Sequence, residues 1–401
     1  VDSSSRLRPV LVWIMAISGG LAVANLYYHQ PLLGDMGRTF QASDHAVGLV
    51  PTVSQVGYAL GLLLIVPLGD SLERRRTIVV MCCLVCLALL GVALAPSLPW
   101  LVATSALVGV TTVVPQLLVP FAAHLAPPEA RGRVVGLVMS GLLIGILLSR
   151  TAAGFLGVRF GWRAVFWIAA GLMAGLAVVL RLTLPRQSAP SPLPYGALLR
   201  SLMPLVREEP VLRLHSLMGA LSFASFSAFW TTLVLHLHTL PQQYGARTAG
   251  LFGVVGVVGA IAAPLVGRYS DRGSDPSGAR RINAVSLGLV VLAFAVFALA
   301  GWGLWGLAAG VILLDLGAQA NHIANQTRVY ALRPEARNRI NTVYMVTYFV
   351  GGALGAWLGS LGWSHAGWLG VCAVGAGLPL LGLAVLLGHR GPGASSARAP
   401  S

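Results

Sequence analysis

The 401-residue chain is 56% hydrophobic and only 10% charged, with a mean hydropathy of +0.79. A soluble globular domain carries about 25% charged residues, so that class is excluded and a polytopic membrane protein remains. The formal net charge is +15, and its 27 positive residues are all arginine, scattered over short connections instead of gathered in a basic domain, so nucleic acid is not an expected partner.

The chain opens with Arg6 and Arg8, an apolar run from Pro9, and Ala22-Val23-Ala24, which together imitate a cleavable signal peptide. Cleavage there would cut a span that continues into Asn25-Leu26-Tyr27-Tyr28-His29-Gln30, where a helix puts Asn25, Tyr28 and His29 on one face. Further apolar spans are expected at about 46–68, 77–96, 99–125, 134–157 and 163–183. Pro115 and Pro120 should bend the fourth of the six.

Residues 1–183 then form an N-terminal six-helix bundle. The stretch 184–210 is the one long hydrophilic segment and reads as a linker, in which Leu198, Leu199, Leu202 and Leu205 alternate with Arg200 and Arg207 as in an interfacial helix. Six more spans follow at about 211–238, 247–266, 282–301, 303–329, 339–362 and 366–388, so 211–390 is a second bundle. The tail 391–401, rich in Gly, Ala, Ser and Pro, is expected to be disordered. Cys82, Cys83, Cys86 and Cys372 lie inside apolar runs and offer neither a disulfide framework nor a metal pattern.

Twenty-one of the 27 arginines fall on the N-terminal side of this topology, against Arg38, Arg159, Arg163 and Arg247 opposite. Both termini and the linker are therefore expected in the cytoplasm, with the protein in the inner (plasma) membrane. An internal repeat supports two halves: Pro128-Glu129-Ala130-Arg131-Gly132-Arg133 recurs as Pro334-Glu335-Ala336-Arg337-Asn338-Arg339. Asp70 with Arg74 and Arg75, and Asp271 with Arg272, form a second matched pair of loops. The expected fold is an all-α membrane protein of twelve transmembrane helices, in two pseudo-symmetric six-helix bundles around a central cavity.

The tenth span carries the sharpest chemistry. In VILLDLGAQANHIANQTR, from Val311 to Arg328, helical steps place Asp315, Gln319, His322 and Gln326 on one stripe and Asn321, Asn325 and Arg328 on another beside it. An ionisable group at this depth costs about 2.5–3.5 kcal/mol on insertion scales, so the stripe should face a wet cavity or a partner. Hydrogen bonding between neighbouring spans is the plainer reading of these polar groups.

On the loop motifs and the repeat, the chain resembles the major facilitator superfamily from about residue 10 to 388. The signature loop of that family, Gly, three residues, Asp, Arg, one residue, Gly, Arg, Arg, is matched at Asp70, Arg74 and Arg75, with Val66, Ser71 and Glu73 at its other positions. Gly267, Asp271 and Arg272 are the second copy. Within the family the chain looks most like twelve-span drug and metabolite:proton antiporters, including sugar- and nucleoside-efflux-like members. Gly141 and Gly145 match their fifth-span glycine signature, while Ile146, Ser149 and Arg150 replace its Pro and double Gly.

The resemblance implies that the first, fourth, seventh and tenth spans line the cavity. These spans and the eleventh offer Asn25, Tyr28, Gln116, Ser225, Phe229, Trp230, Gln319, Asn325, Tyr344 and Tyr348. Arg150 either balances Asp315 from the opposite half or snorkels to the outer interface. Proton coupling needs a group whose protonation alternates with its surroundings, and Asp315 is the first candidate, with His322 and His29 as relay candidates. An ionised Asp315 recognising a cationic substrate is the competing role. The resemblance also implies that the loops of Asp70, Arg74, Arg75, Asp271 and Arg272 gate the cavity, each acid meeting the start of a span in the other half.

The expected function is efflux of a small organic solute by alternating access, with protons as the coupling ion, no cofactor, and a monomer in the bilayer. An uptake symporter is the alternative, and a non-transporting sensor a third. No HExxH, GxSxG or P-loop pattern points to an enzyme.

Overall fold

The computed structural model describes residues 9–187, 195–256, 276–333 and 336–388, all as helices and short connections with no strand among them. Asp271 and Arg272, the side chain of Asp70, and the tail from 389 lie outside the described residues. In the N-terminal half the order is α1 (Pro9–Ala24), α2 (Leu33–Phe40), α3 (Asp44–Val47), α4 (Leu49–Leu64), α5 (Val66–Ser71), α6 (Arg74–Ala93), α7 (Leu98–Thr111), α8 (Val114–Leu125), α9 (Arg131–Phe160) and α10 (Trp162–Thr183). In the C-terminal half it is α11 (Tyr195–Arg200), α12 (Leu202–Glu208), α13 (Pro210–Thr239), α14 (246–256), α15 (Pro276–Ala300), α16 (Leu304–Tyr330) and α17 (Arg337–Gly388).

Nine helical segments among the described residues are long and apolar enough to cross a membrane, and α1 is a shorter apolar helix. The 52 residues of α17 would span about 78 Å if straight, more than twice a hydrocarbon core. They do not run straight, because Ala366 and Gly367 leave helical geometry. Gly367 has φ +59°, a conformation that costs a side chain but not glycine, so the chain doubles back there.

Several boundaries follow from local chemistry. The Glu73 carboxylate accepts from the Arg76 amide and starts α6, and Ser43 caps α3 through the Ala46 amide. Thr112 and Val113 interrupt the fourth span just before Pro115, as the prolines lead one to expect. The first span departs from expectation. α1 stops at Ala24, and Asn25 to His29 form turns with i to i−3 bonds such as Tyr27 N to Ala24 O at 2.9 Å. Pro31 cannot donate to the Tyr27 carbonyl and its ring crowds that oxygen, so the helix breaks and Asn25, Tyr28 and His29 do not share a helical face.

The linker helix is two short pieces, α11 and α12. Leu198, Leu202 and Leu205 are buried and Arg200 and Arg207 exposed, as the spacing predicts. Its apolar side is covered by the protein, with the Tyr195 hydroxyl donating to the Leu64 carbonyl at 2.8 Å.

The two halves meet along two seams. In one, α4 faces α13 and α17: Tyr58 sits edge-on to Phe349 at 4.4 Å, and Ser227 donates to Gln55 at 3.2 Å. In the other, α9 faces α14, where Thr151 donates to the Gly250 carbonyl at 2.8 Å. Within the N-terminal half α1 and α9 touch backbone to backbone at Gly20, Gly141 and Gly145, where any Cβ would collide with main chain. Those glycines serve close helix packing.

Candidate functional site

Beside the seam between α9 and α14 lie two buried side chains of opposite charge. Arg150 comes from the middle of α9 and Asp315 from the middle of α16, and they are 1% and 2% exposed. Arg150 does not snorkel outward. Its guanidinium lies over Trp230 at 4.1 Å, Tyr27 at 4.8 Å and Phe226 at 5.6 Å, a cation–π box drawn from both halves. Its Nε donates to Gln30 Oε1 at 2.6 Å and its Nη1 to the Ile146 carbonyl at 3.4 Å, while Nη2 is buried with no partner among the described residues.

Asp315 is the complementary orphan. Oδ2 is buried without a hydrogen-bond partner among the described residues, and Gly256 of α14 presses so close that a Cβ there would lie 3.1–3.4 Å from the carboxyl atoms. Arg150 and Asp315 sit in each other's electrostatic field, and Tyr348 also feels Asp315, yet neither charge forms an ion pair among the described residues. Isolated buried ions cost several kcal/mol each, so this arrangement is held by the surrounding packing at a price in stability.

The other expected site residues divide between this centre and its walls. Trp230 belongs to the centre, and its Nε1 is a second buried donor without a partner among the described residues. His29 and Asn25 are buried in the turn after α1. His29 Nε2 has no partner among the described residues, and Asn25 Nδ2 lies 3.0 Å from the Met173 sulfur. Tyr28 is buried beside them. His322 is half-buried, with the Tyr344 hydroxyl 3.1 Å from its Nδ1 and the Tyr348 ring 4.6 Å from its own. Tyr348 stacks on Phe223 at 4.1 Å. Gln319 is half-buried one turn from Asp315.

Three of the expected lining residues are turned elsewhere. Phe229 stacks on Phe297 of α15 at 4.4 Å, and Ser225 donates to the Leu221 carbonyl at 3.2 Å on its own helix. Asn325 sits in a buried chain: His215 Nδ1–H donates to it at 2.6 Å, it donates to Asn321 at 2.9 Å, and Asn321 donates to Asn283 at 2.8 Å. This second stripe of α16 therefore binds α13 and α15 together, the packing role that polar groups play between spans. Asn321→Leu should lower thermal stability in detergent by about 1–2 kcal/mol and leave solute-dependent proton movement intact. An unchanged melting profile would contradict that assignment.

At the arginine-rich end, a cavity of about 30 Å³ is lined by Gly69, Arg74, Gln116 and Pro120 from one half and Asn338 and Asn341 from the other. It is large enough for one water molecule. Arg74 thus shares this cavity with the start of α17, where the resemblance puts the neighbouring Asp70, whose side chain lies outside the described residues. Arg75 instead donates to the Arg181 and Leu184 carbonyls at 3.4 and 3.2 Å, capping α10 within its own half. The opposite end is tied by Trp363 Nε1 donating to Asp44 at 2.8 Å and by His238 packing on Gly34, beside a groove of about 500 Å³.

Sequence reasoning passed over Gln30 and Tyr27, the nearest partners of Arg150 from the first span, because their alignment with α9 depends on the broken end of α1. It also passed over His215 and Asn283, whose polar side chains in apolar helices were the available signal.

Known proteins agree with this architecture. "Uncharacterized transporter YgaY" of Escherichia coli O157:H7 is 43% identical over 380 residues, 95% of each chain. A protein of Pasteurella multocida named "Probable sugar efflux transporter" is 25% identical, with 90% of this chain and 89% of that one covered. Among solved structures, a bacterial homolog of the human lysosomal transporter Spinster, inward-facing and unoccupied, superposes with a TM-score of 0.74 at 16% identity, over 96% of this chain and 95% of that one, and shares the fold. The profile of the Major Facilitator Superfamily matches residues 15–329, and with these relatives it establishes that the chain belongs to that superfamily, a family of membrane transporters and not of enzymes.

Proposed function

We propose that this protein is a proton-coupled secondary transporter that exports a small organic solute by alternating access, with Asp315 as the coupling acid. The observation that carries the reading is a carboxyl group buried at mid-helix without a hydrogen-bond partner among the described residues, in the field of a buried arginine from the other half. A group so placed gains or loses its proton when the halves separate and water enters, which is what coupling to a proton gradient requires. Export is favoured over uptake by the likeness to proteins named sugar efflux transporters.

The same proposal takes the chain as twelve spans, six in each half, acting as a monomer in the inner membrane with both termini in the cytoplasm and no cofactor. The arginine count supports that orientation. The cavity between Arg74 and the start of α17 supports a cytoplasmic gate there, to which Asp70 and Asp271 would contribute by the repeat. The tie between Trp363 and Asp44 supports an external gate.

The test is vectorial. Sealed vesicles containing the purified protein, given an imposed pH gradient and a panel of drugs, nucleosides, sugars and amino acids, should move at least one solute against the proton flow, and a protonophore should stop it. Solute moving with the proton flow would establish the uptake symporter, and solute binding without movement would establish a sensor.

A further inference from the structure

The two central charges are near enough to act on each other and yet unpaired among the described residues, and each has one buried atom with nothing to bind: Nη2 of Arg150 and Oδ2 of Asp315. A third unpartnered atom, Trp230 Nε1, belongs to the ring lying 4.1 Å from the guanidinium. Unpartnered donors on α9 and α13, an unpartnered acceptor on α16 and aromatic rings against the guanidinium fit a ligand with complementary ends. A simple anion would satisfy Arg150 but bring its charge against Asp315, and a simple cation would satisfy Asp315 but meet Arg150.

We propose that the centre binds a zwitterionic amino acid with an apolar or aromatic side chain, its carboxylate on Arg150 Nη2 and Trp230 Nε1 and its ammonium on Asp315. This rests on the reading of Asp315 as the coupling acid and adds the substrate class. Guanidinium–carboxylate contacts are the stronger, charge-assisted kind of hydrogen bond, and Tyr27 and Phe226 beside the guanidinium offer the side chain aromatic surface. Gly256 contributes by having no side chain where the ammonium approaches Asp315.

The arrangement also gives exchange its physical cause. The ammonium needs Asp315 ionised, so a proton on Asp315 and a bound amino acid exclude each other, and one leaves as the other arrives. The charged and titratable groups around Asp315 are Arg150 from α9 and Tyr348 from α17, with Tyr27 and His29 from the turn after α1 beside Arg150 and His322 two turns along its own helix. Of these Arg150 carries the fixed opposite charge.

Calorimetric titration of the purified full chain with L-phenylalanine, phenethylamine and 3-phenylpropionate tests the class on the parent protein without any variant. L-Phenylalanine should bind about tenfold or more tighter than either singly charged analogue, the weight of one charge-assisted hydrogen bond. Arg150→Gln should erase its advantage over phenethylamine, and Asp315→Asn its advantage over 3-phenylpropionate. Equal or weaker binding of L-phenylalanine, or no binding of any of the three, overturns the proposal. If solutes of the vesicle panel still drive proton movement in that case, the transporter reading stands and only the substrate class falls; if none does, the reading beneath it falls as well.

Discussion

Vesicles carrying Asp315→Asn are expected to lose gradient-driven solute accumulation completely, down to the level seen without a gradient, while still exchanging solute for solute at raised concentration. The amide is nearly isosteric with the carboxyl group, so the contact with Gly256 and the packing of α16 against α14 survive. What disappears is the ability to give up a proton. A transporter whose central group is fixed in the neutral form can cycle with its solute on both strokes, but has nothing to return in exchange. The measurement is uptake into inverted vesicles with and without a pH gradient, beside counterflow in preloaded vesicles. Retained accumulation would move the coupling to His322 or His29, the two half-buried or buried histidines near the centre.

Arg150→Leu should be as damaging by the opposite route. It keeps the volume roughly constant but strips Asp315 of the one positive charge in its field, and it leaves Gln30 Oε1 without the donor now 2.6 Å away. Removing one of two opposite buried charges costs about 3–5 kcal/mol of folding stability, so Arg150→Leu should unfold at a clearly lower temperature than the parent, and any solute movement that needs the guanidinium should be lost. Above the pH at which Asp315 loses its proton, Arg150→Leu leaves that carboxylate uncompensated, so adding Asp315→Asn should there recover much of the thermal stability lost by Arg150→Leu alone, though not the accumulation. Thermal unfolding of the parent, both single variants and the double variant forms the cycle that reads this coupling. Additive losses would show that the two residues do not interact.

Depth alone singled out Asp315 as a candidate for the centre, since charge in an apolar run has few tolerable destinations, but it left Arg150 between the centre and the outer interface. It also separated the two stripes of α16 correctly as stripes. What helical spacing could not decide was which stripe faced the centre and which a neighbouring span, because spacing gives the angle between residues and not the direction in which the helix is docked. Asn325 was therefore expected in the cavity wall, and it lies in the chain from His215 to Asn283. Phe229 and Trp230 show the same limit one residue apart, since adjacent positions point about 100° from each other and only Trp230 meets Arg150. The broken end of α1 was hidden for another reason. Asn25 to His29 are compatible with helix, and the cause of the break, Pro31, lies beyond them.

The inter-half contacts give the centre its mechanical meaning. Tyr58 on Phe349, Gln55 with Ser227 and Asp44 with Trp363 all join the halves, the first inside an apolar cluster that both halves share and the last near an open groove. Interfaces of that kind can separate and re-form on the timescale of domain motion.

The most direct measurement is proton release on solute binding. A solute identified in the vesicle panel is added to the purified protein in weakly buffered detergent solution containing a pH indicator. The exchange reading predicts that binding to the parent acidifies the medium, because the solute displaces the proton of Asp315, and that binding to Asp315→Asn does not. Alkalinisation, or release that persists in Asp315→Asn, would contradict it.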